Sequence, residues 1–195
     1  YSNMKGRLPL RRSLDEVTNA RRVGYFGPAG TFTEQALLTQ PDLASLEYVP
    51  YRTVPDVLDA VETGDVDLGF VPIENSIEGT VNFTQDALVF DHDLLIQREV
   101  VLDIEHCVLA RPGTKLQNIK VLLSIPVATA QCHVFIRGEL PEVEVRAANS
   151  TAEAARLVAE DSSDTLAALA PANAARIYGL DVLRRNVADH EGNQT

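Results

Sequence analysis

Polar side chains that can hydrogen-bond a small molecule follow directly after an apolar run in the first half of the chain. The run 68–71 ends at Pro72, and four polar residues come next: Glu74, Asn75, Ser76 and Glu78. A buried strand that delivers polar groups at its carboxyl end is the usual layout of an open α/β ligand site. This stretch therefore predicts a small-molecule site, with the amide of Asn75 as a candidate for orienting the ligand.

A second candidate site lies at the start of the first predicted helix. The segment Gly27-Pro-Ala-Gly30 predicts a turn, and Thr31 and Glu34 have the spacing of a capping box. The free amides of a helix start bind anions, and Gly30 allows a ligand to approach the backbone closely. A well-capped helix without a ligand is an equally good interpretation of these residues alone.

Polar groups recur where other predicted strands end or helices begin. They are Thr31, Thr33, Asn75, Ser76, Ser124, Ser150 and Thr151. Several helix starts would then face one cleft, and helix starts can bind carboxylates without any Lys or Arg. We therefore expect a small anionic ligand.

Other groupings of reactive side chains are interpreted as structural. Asp91-His92-Asp93 lacks partners at metal-ligand spacing and predicts a solvated turn, so no metal site is expected. His106 and His133 fall in apolar patterns, which is typical of core or boundary histidines. The sequence has no Ser-His-Asp arrangement, P-loop or Rossmann glycine fingerprint.

Composition narrows the range of partners. The 195 residues carry a net charge of −11. Residues 1–22 are basic and predict a flexible leader, although a nucleic-acid arm is a weaker interpretation of them. The remaining acidic body argues against nucleic acid or an anionic membrane as the partner. Cys107 and Cys132 lack zinc-ligand spacing and predict buried thiols in a reducing cytoplasm.

The elements that must position these groups alternate between strand and helix. The first half predicts strands near 23–27, 46–52 and 67–72 and helices near 31–39, 53–64 and 79–90. This order favours a parallel sheet with helices on both faces. The extended stretch 94–110 is then long enough to cross to a second lobe.

The second half repeats this order. It predicts strands at 119–124, 143–147 and 165–170 and helices at 124–136, 151–160 and 172–178. Thr53 and Thr151 each lead a helix, an acidic turn and an apolar strand, and Pro72 and Pro171 follow them by 19 and 20 residues. Chance similarity of α/β units remains open, but two related lobes are favoured. Two such lobes predict a clamshell with the ligand between them.

Five segments together resemble the prephenate dehydratase family. They are Gly27-Pro-Ala-Gly-Thr-Phe-Thr-Glu34, Val71-Pro-Ile-Glu-Asn-Ser-Ile-Glu-Gly79, Ser124-x-Pro-x-Ala-x-Ala-Gln131, Asn149-Ser-Thr-x-x-Ala-Ala155 and Asn193-Gln-Thr195. The resemblance covers residues 23–195. It implies an α/β fold with two lobes, like a type II periplasmic binding protein, in which each lobe is a mostly parallel sheet flanked by helices. Lobe 1 would take about 23–100 plus the return 184–195, and lobe 2 about 101–183.

The activity that the resemblance implies is the decarboxylating dehydration of the dianion prephenate to phenylpyruvate, carbon dioxide and water, in L-phenylalanine biosynthesis. Aromatisation drives that reaction, so no cofactor is implied. By resemblance, Thr195 would aim its hydroxyl at the departing hydroxyl. Asn75, Ser124 and Gln131 would contact the substrate, and Glu74 would be a proton source if it is buried. Substrate binding is further expected of Gly30, Thr31, Phe32, Ser76, Ser150 and Thr151.

Two features depart from the family pattern. Ile125 and Val127 stand where the family has His and Gln, and an Arg-Phe pair and a regulatory ACT domain would be expected after Thr195. If the chain is active, the first departure implies that neither the His nor the Gln is indispensable. The second departure predicts a catalytic-domain fragment that is less active than a longer chain. The family implies homodimers, and tetramers when full length. Arogenate dehydratase, and a clamshell that binds a small anion without catalysis, remain as alternative functions.

Overall fold

The structure, a computed structural model, describes residues 20–195. Two β-sheets, each with helices packed against it, form two lobes that are joined by an extended crossover. The predicted two-lobed α/β fold is therefore confirmed. The predicted leader lies outside the described residues, apart from its last three positions.

Lobe 1 is built on a small sheet in which all strands are parallel. Its elements are β1 (Arg22–Phe26), α1 (Phe32–Leu38), β2 (Glu47–Tyr51), α2 (Val54–Thr63) and β3 (Leu68–Phe70). The strand order is β2-β1-β3, so β1 lies in the middle. Its Val23 and Tyr25 are buried with Leu37 of α1, and they form the core of this lobe.

Helix α2 begins and ends where its sequence predicts. The Thr53 hydroxyl accepts a hydrogen bond from the Asp56 amide, and a proline stands in the first turn. Gly64 ends the helix in the left-handed conformation, with φ of 81°. Val57 and Leu58 face the core. In the second lobe, the helix Thr151–Glu160 has the same length of ten residues, and its hydroxyl cap is Ser150.

The segment after β3 differs from the single helix predicted over 79–90. It forms a short hairpin of β4 (Glu74–Asn75) and β5 (Gly79–Thr80), followed by α3 (Asn82–Asp86) and a π-helical turn (Ala87–Asp91). The hairpin forms because the Asn75 side-chain oxygen accepts hydrogen bonds from the amides of Ile77 and Glu78. Side-chain bonds of this kind stabilise turns in competition with helix.

The crossover is extended but pairs less than predicted. Only β6 (Cys107–Ala110) of the expected stretch 94–110 belongs to a sheet. Upstream of it, Asp103 forms an isolated antiparallel bridge with Gln194. The crossover thus contacts the segment 193–195 before it enters the second sheet.

Lobe 2 contains the larger sheet. Its elements are β7 (Val121–Ser124), α4 (Pro126–Ala130), α5 (His133–Glu139), β8 (Glu144–Ala147), α6 (Thr151–Glu160), β9 (Leu166–Ala170), α7 (Ala172–Tyr178) and β10 (Asp181–Arg184). The strand order is β10-β6-β9-β7-β8. Strand β7 pairs in parallel with β8 and β9, whereas β6 pairs antiparallel with β9 and β10. Apolar clusters cover both faces of the sheet, which is why β6, β7 and β9 are continuous apolar runs.

The helix predicted from 124 to 136 is two helices that break at Gln131 and Cys132. Asp189 causes the break, because its carboxylate accepts a hydrogen bond of 3.0 Å from the Val134 amide and so caps α5. The Asp189 amide also donates to the Gln131 carbonyl at 2.7 Å. The break leaves the Gln131 side chain at the edge of lobe 2 that faces lobe 1. Within residues 20–195, no helix is long and apolar enough to cross a membrane.

Candidate active site between the lobes

The segment 193–195 lies between the crossover and the β4–β5 hairpin. On one side, Leu102 and Thr195 exchange two backbone hydrogen bonds of 2.9 and 3.0 Å, and the Ile104 amide donates to the Asn193 carbonyl. On the other side, the Ser76 amide donates to the Gln194 carbonyl at 2.8 Å. The last of the five motifs is thereby placed against the second.

Asn75 is a junction of four hydrogen bonds. Its oxygen accepts the two backbone amides that shape the hairpin, each at 3.0 Å. Its amide nitrogen donates to the Asn193 side-chain oxygen at 2.9 Å and to the Gln194 carbonyl at 3.0 Å. Ser76 adds a hydroxyl that accepts from the Gln194 amide at 2.9 Å. In this arrangement Asn75 and Ser76 bind the segment 193–195.

Gln131 joins lobe 2 to the same network. Its amide nitrogen donates to the Glu78 carboxylate of lobe 1 at 3.0 Å. Its oxygen accepts from the Asn193 amide nitrogen at 3.0 Å and from His106 Nε2 at 3.1 Å. Gln131, His106 and Asn193 are all buried. Sequence reasoning classified His106 as a core histidine and gave Asn193 no role of its own, although Asn193 lies in a quoted motif.

His106 packs edge-on against Phe32 of lobe 1, with 5.4 Å between the ring centroids and 86° between the ring planes. Burial lowers the pKa of His106, and the hydrogen bond with Gln131 opposes that shift only in part. The other ring nitrogen, Nδ1, is buried and has no hydrogen-bond partner among the described residues. His106 is therefore a neutral imidazole that uses one of its two nitrogens.

Thr195 and Glu74 meet through the backbone. The Thr195 hydroxyl donates to the Glu74 carbonyl at 2.9 Å. Glu74 itself is exposed, so the burial on which its predicted role as a proton source depended is absent. Thr195 lies two residues after Asn193, in the segment 193–195.

Ser124, which the resemblance expects to contact the substrate, forms its hydrogen bond within the sheet of lobe 2. Its hydroxyl donates to the Leu169 carbonyl at 2.7 Å, and only 1% of the residue is exposed. The bond ties the end of β7 to β9. In this arrangement Ser124 supports the sheet and is closed to a ligand.

At the two predicted helix starts, a glutamate of the chain bonds the amide that precedes the capping residue. Thr31 caps α1 by accepting a hydrogen bond from the Glu34 amide, as the spacing predicted. The Glu34 carboxylate accepts the Gly30 amide at 2.7 Å. In lobe 2, Ser150 caps α6 in the same way, and the Glu153 carboxylate accepts the Asn149 amide at 2.7 Å. The reciprocal bond of a capping box goes to the amide of the capping residue itself, whereas here it goes to the residue before it.

Gly30 approaches lobe 2 rather than an open cleft. Its φ is 90°, and a Cβ placed there would lie 3.1 Å from the Tyr178 ring and 3.5 Å from the Ala152 side chain. The Tyr178 hydroxyl donates to the Ala29 carbonyl at 2.8 Å, and Asn173 donates to the Glu34 carboxylate at 3.2 Å. This second contact between the lobes brings Thr151, the first residue of α6, close to the turn before α1.

Two openings lie outside the predicted site residues. One cavity of about 410 Å³ is lined by Asp103, Ile104, Glu105, Asn186, His190, Glu191, Gly192 and Asn193. A second, of about 330 Å³, lies between α5 and residues 186–189. Among the predicted site residues, Asn75, Ser76 and Gln131 are instead joined by hydrogen bonds to the segment 193–195, which carries Thr195.

His92 has partners that the sequence did not suggest. Its Nδ1 lies 2.8 Å from the Glu62 carboxylate and its Nε2 lies 3.7 Å from Asp59, both of α2. The bond to His92 lowers the pKa of Glu62. The predicted solvated turn is wrong for His92, whose side chain is nearly buried. Each ring nitrogen faces a different carboxylate of α2, so His92 joins the end of the π-helical turn to that helix.

Two α/β lobes that enclose a group of amides and hydroxyls define a class of small-molecule-binding proteins with the site between the lobes. A sequence model of prephenate dehydratase matches residues 23–195. The prephenate dehydratase of Bacillus subtilis (strain 168) is 37% identical over 176 residues, which cover 89% of this chain and 61% of that relative. The chain belongs to the prephenate dehydratase family.

Solved structures agree with this assignment. The prephenate dehydratase of Arthrobacter aurescens in complex with L-Phe matches with a TM-score of 0.82 and 35% identity, over 89% of this chain and 58% of that one. GqqA, described as a novel type of quorum quenching acylase, matches with a TM-score of 0.79 and 29% identity, over 89% of this chain and 62% of that one. The chain thus spans less than two thirds of the length of these proteins, and the fold is shared by proteins described by different activities.

Proposed function

We propose that this chain forms the catalytic part of a prephenate dehydratase. The observation that carries the proposal is the position of Asn193, which hydrogen-bonds both Asn75 of lobe 1 and Gln131 of lobe 2. Residues from three distant family motifs therefore meet at one place between the lobes, with the Thr195 hydroxyl two residues away. The family membership of residues 23–195 supports the same reaction.

The reaction converts the prephenate dianion and one proton into phenylpyruvate, carbon dioxide and water. The bond from the ring to its carboxylate breaks, and its electron pair moves into the ring, which becomes aromatic as the bond from C4 to the hydroxyl breaks. The departing hydroxyl leaves as water once it gains a proton. The protein has to hold the substrate carboxylates and to stabilise negative charge on the departing oxygen.

Thr195 is assigned to the departing oxygen. Its hydroxyl already donates a hydrogen bond, to the Glu74 carbonyl at 2.9 Å, so its proton is available to another acceptor after a rotation about one side-chain bond. A threonine hydroxyl is a weak acid. Its contribution is therefore an oriented dipole that is directed at the departing oxygen.

Asn75, Ser76 and Gln131 are assigned to the substrate carboxylates. In this structure their donors are used by the segment 193–195 and by Glu78. Substrate binding has to replace some of these bonds, which requires the lobes to separate and close again around the ligand. Hinged lobes that close around a ligand are a common form of such binding. We assign Ser124 to the support of β7, because its hydroxyl is held by Leu169.

The test is turnover by the full-length protein. Prephenate is added, and phenylpyruvate is followed by its absorbance in alkali. We expect Thr195→Ala to lower kcat by about 100-fold, the usual loss when one donor to a developing charge is removed. Thr195→Ser keeps the hydroxyl and should restore turnover relative to Thr195→Ala. Absence of product from the full-length wild type would refute the proposal.

The same assay separates the alternatives. Arogenate in place of prephenate, with phenylalanine as the measured product, tests for an arogenate dehydratase. Tight binding of prephenate without turnover would favour a clamshell that only binds an anion. Homodimers, and tetramers of the full-length protein, remain predictions that light scattering can check, and a cytoplasmic location remains a prediction from the cysteine content.

A further inference from the structure

We propose that Asn193 and Glu78 are positioning residues that together set the direction of the hydrogen bonds from Asn75 to His106. The chain of bonds passes from Asn75 to Asn193, from Asn193 to Gln131, and ends at His106. Its proposed effect is to hold His106 with its proton on Nε2 and its lone pair on Nδ1. Only the consequence for turnover rests on the proposed function, because the directions of the bonds depend on the fold alone.

The direction is fixed at Asn75 by the backbone. Two backbone amides, of Ile77 and Glu78, lie 3.0 Å from one end of the Asn75 side chain. A backbone amide can only donate, so this end must be the oxygen. The other end must then be the nitrogen, which agrees with its second partner, the Gln194 carbonyl at 3.0 Å. The orientation of Asn75 therefore follows from groups that have no alternative role.

Asn193 passes this direction on to lobe 2. Since Asn75 donates, the atom of Asn193 that lies 2.9 Å away must be its oxygen. The nitrogen of Asn193 then faces Gln131 at 3.0 Å, and the Gln131 atom there must be an acceptor. This places the Gln131 nitrogen against the Glu78 carboxylate at 3.0 Å, where a donor is required. An Asn193 turned the other way would place the Gln131 oxygen against that carboxylate.

The chain of bonds ends at His106. The Gln131 oxygen can only accept, so His106 Nε2, at 3.1 Å, must carry the proton. Burial lowers the pKa of His106, so the ring holds only this one proton near neutral pH. The bare Nδ1 is buried without a partner among the described residues. It can bind an O–H or N–H donor, and it repels a carboxylate.

The direction decides which kind of atom is left buried without a partner. A buried polar atom without a partner is costly, and the protein leaves such an atom at one defined place. If neither Asn193 nor Glu78 fixed the direction, His106 would exist as two tautomers, and the free nitrogen could present either a donor or an acceptor. The network thus decides whether the buried free nitrogen of His106 accepts or donates a hydrogen bond.

The test measures the tautomer directly. In the wild type at pH 8, long-range ¹H–¹⁵N NMR of His106 should show the proton on Nε2. The test variant combines Asn193→Asp with Glu78→Gln. Asn193→Asp keeps the size and the acceptor oxygen but removes the donor, and Glu78→Gln removes the carboxylate that requires the Gln131 nitrogen. Gln131 should then turn its nitrogen toward the new carboxylate and toward His106 Nε2. We then expect a complete exchange of the two ring-nitrogen signals, with the proton on Nδ1.

A second variant protects the test against a folding defect. Asn75→Asp, also combined with Glu78→Gln, removes the donor at the first step and should produce the same exchange through a different residue. The matched control is Gln194→Ala, which removes only the side-chain bond from this segment to Asp103 and should leave the proton on Nε2. A wild type with the proton on Nδ1, or folded Asp variants that keep it on Nε2, would overturn the proposal.

The readout is separate from the reaction. NMR of His106 needs no substrate, so a protein that does not convert prephenate can still confirm or refute the role of Asn193. If the full-length protein is active, Asn193→Asp should lower kcat by a larger factor than it changes KM. A merely structural role would lower thermal stability while the tautomer stayed the same.

Discussion

Replacement of Gly30 by alanine tests the contact between the lobes. Gly30 has a φ of 90°, and a Cβ there would lie 3.1 Å from the Tyr178 ring. The ring cannot move freely, because its hydroxyl is bound to the Ala29 carbonyl. Gly64 is a matched control, since its φ is 81° and a Cβ there would meet nothing within 4 Å.

The expected magnitudes follow from these two geometries. A left-handed conformation costs a residue other than glycine about 1–2 kcal/mol, and this cost applies to both Gly64→Ala and Gly30→Ala. Gly30→Ala adds a steric term of about 1 kcal/mol, the low end of the range for overpacking, because the overlap with Tyr178 is only a few tenths of an ångström. We therefore expect Gly30→Ala to lose about 1 kcal/mol more than Gly64→Ala.

The assay is urea unfolding followed by far-ultraviolet circular dichroism, since the chain contains no tryptophan. Tyr178→Leu removes the obstructing ring atom and should cancel the excess loss of Gly30→Ala in a double-mutant cycle. Equal losses for Gly30→Ala and Gly64→Ala would show that the space beside Gly30 is open. The contact described between the turn before α1 and α7 would then be wrong.

Two further predictions concern buried polar groups. Ser124→Ala should lower the free energy of unfolding by about 1–3 kcal/mol, because the Leu169 carbonyl loses its buried donor; denaturant titration measures this, and a loss below experimental error would contradict it. His106 should make the protein less stable in acid. Its pKa is lower in the folded state than the usual value of about 6.5, so its contribution is complete above pH 6.5 and decreases as the pH falls toward the folded pKa. His106→Gln should flatten the stability profile between pH 7 and 5, and an unchanged slope would count against burial as the cause.

Local patterns predicted the elements whose ends depend on neighbouring residues. The cap at Thr53, the left-handed end at Gly64 and the cap of Thr31 on the Glu34 amide are all formed by groups within four positions of one another. Such interactions are nearly independent of the rest of the fold. The alternation of strand and helix could therefore be predicted from the sequence, and the two lobes were predicted from that alternation.

Predictions failed where a distant residue decides the outcome. The helix expected through residue 136 breaks because Asp189 caps α5, 55 residues away in the chain. His92 is held by Glu62, 30 residues away, which no local pattern indicates. The helix-start anion sites stay predictions, because Glu34 and Glu153 occupy only the amides of Gly30 and Asn149, which precede the capping residues.

The site itself was half predictable. Family motifs pointed to Asn75, Gln131 and Thr195, and the structure brings these residues together. The motifs could not show that Asn193 joins these residues, because the position of a residue in a motif does not identify its hydrogen-bond partner. Nor could they show that Ser124 is turned inward, since that depends on its pairing with β9.

The segment 193–195 also determines when the site can form during folding. Asn75 and Asn193 are 118 residues apart, so their bond closes a very long loop and can form only after both sheets exist. The site should be the last part of the fold to assemble and the first to open. The amides of Ser76, Leu102 and Ile104, which all donate to this segment, should therefore exchange with deuterium at one common rate, faster than those of β6 and β9.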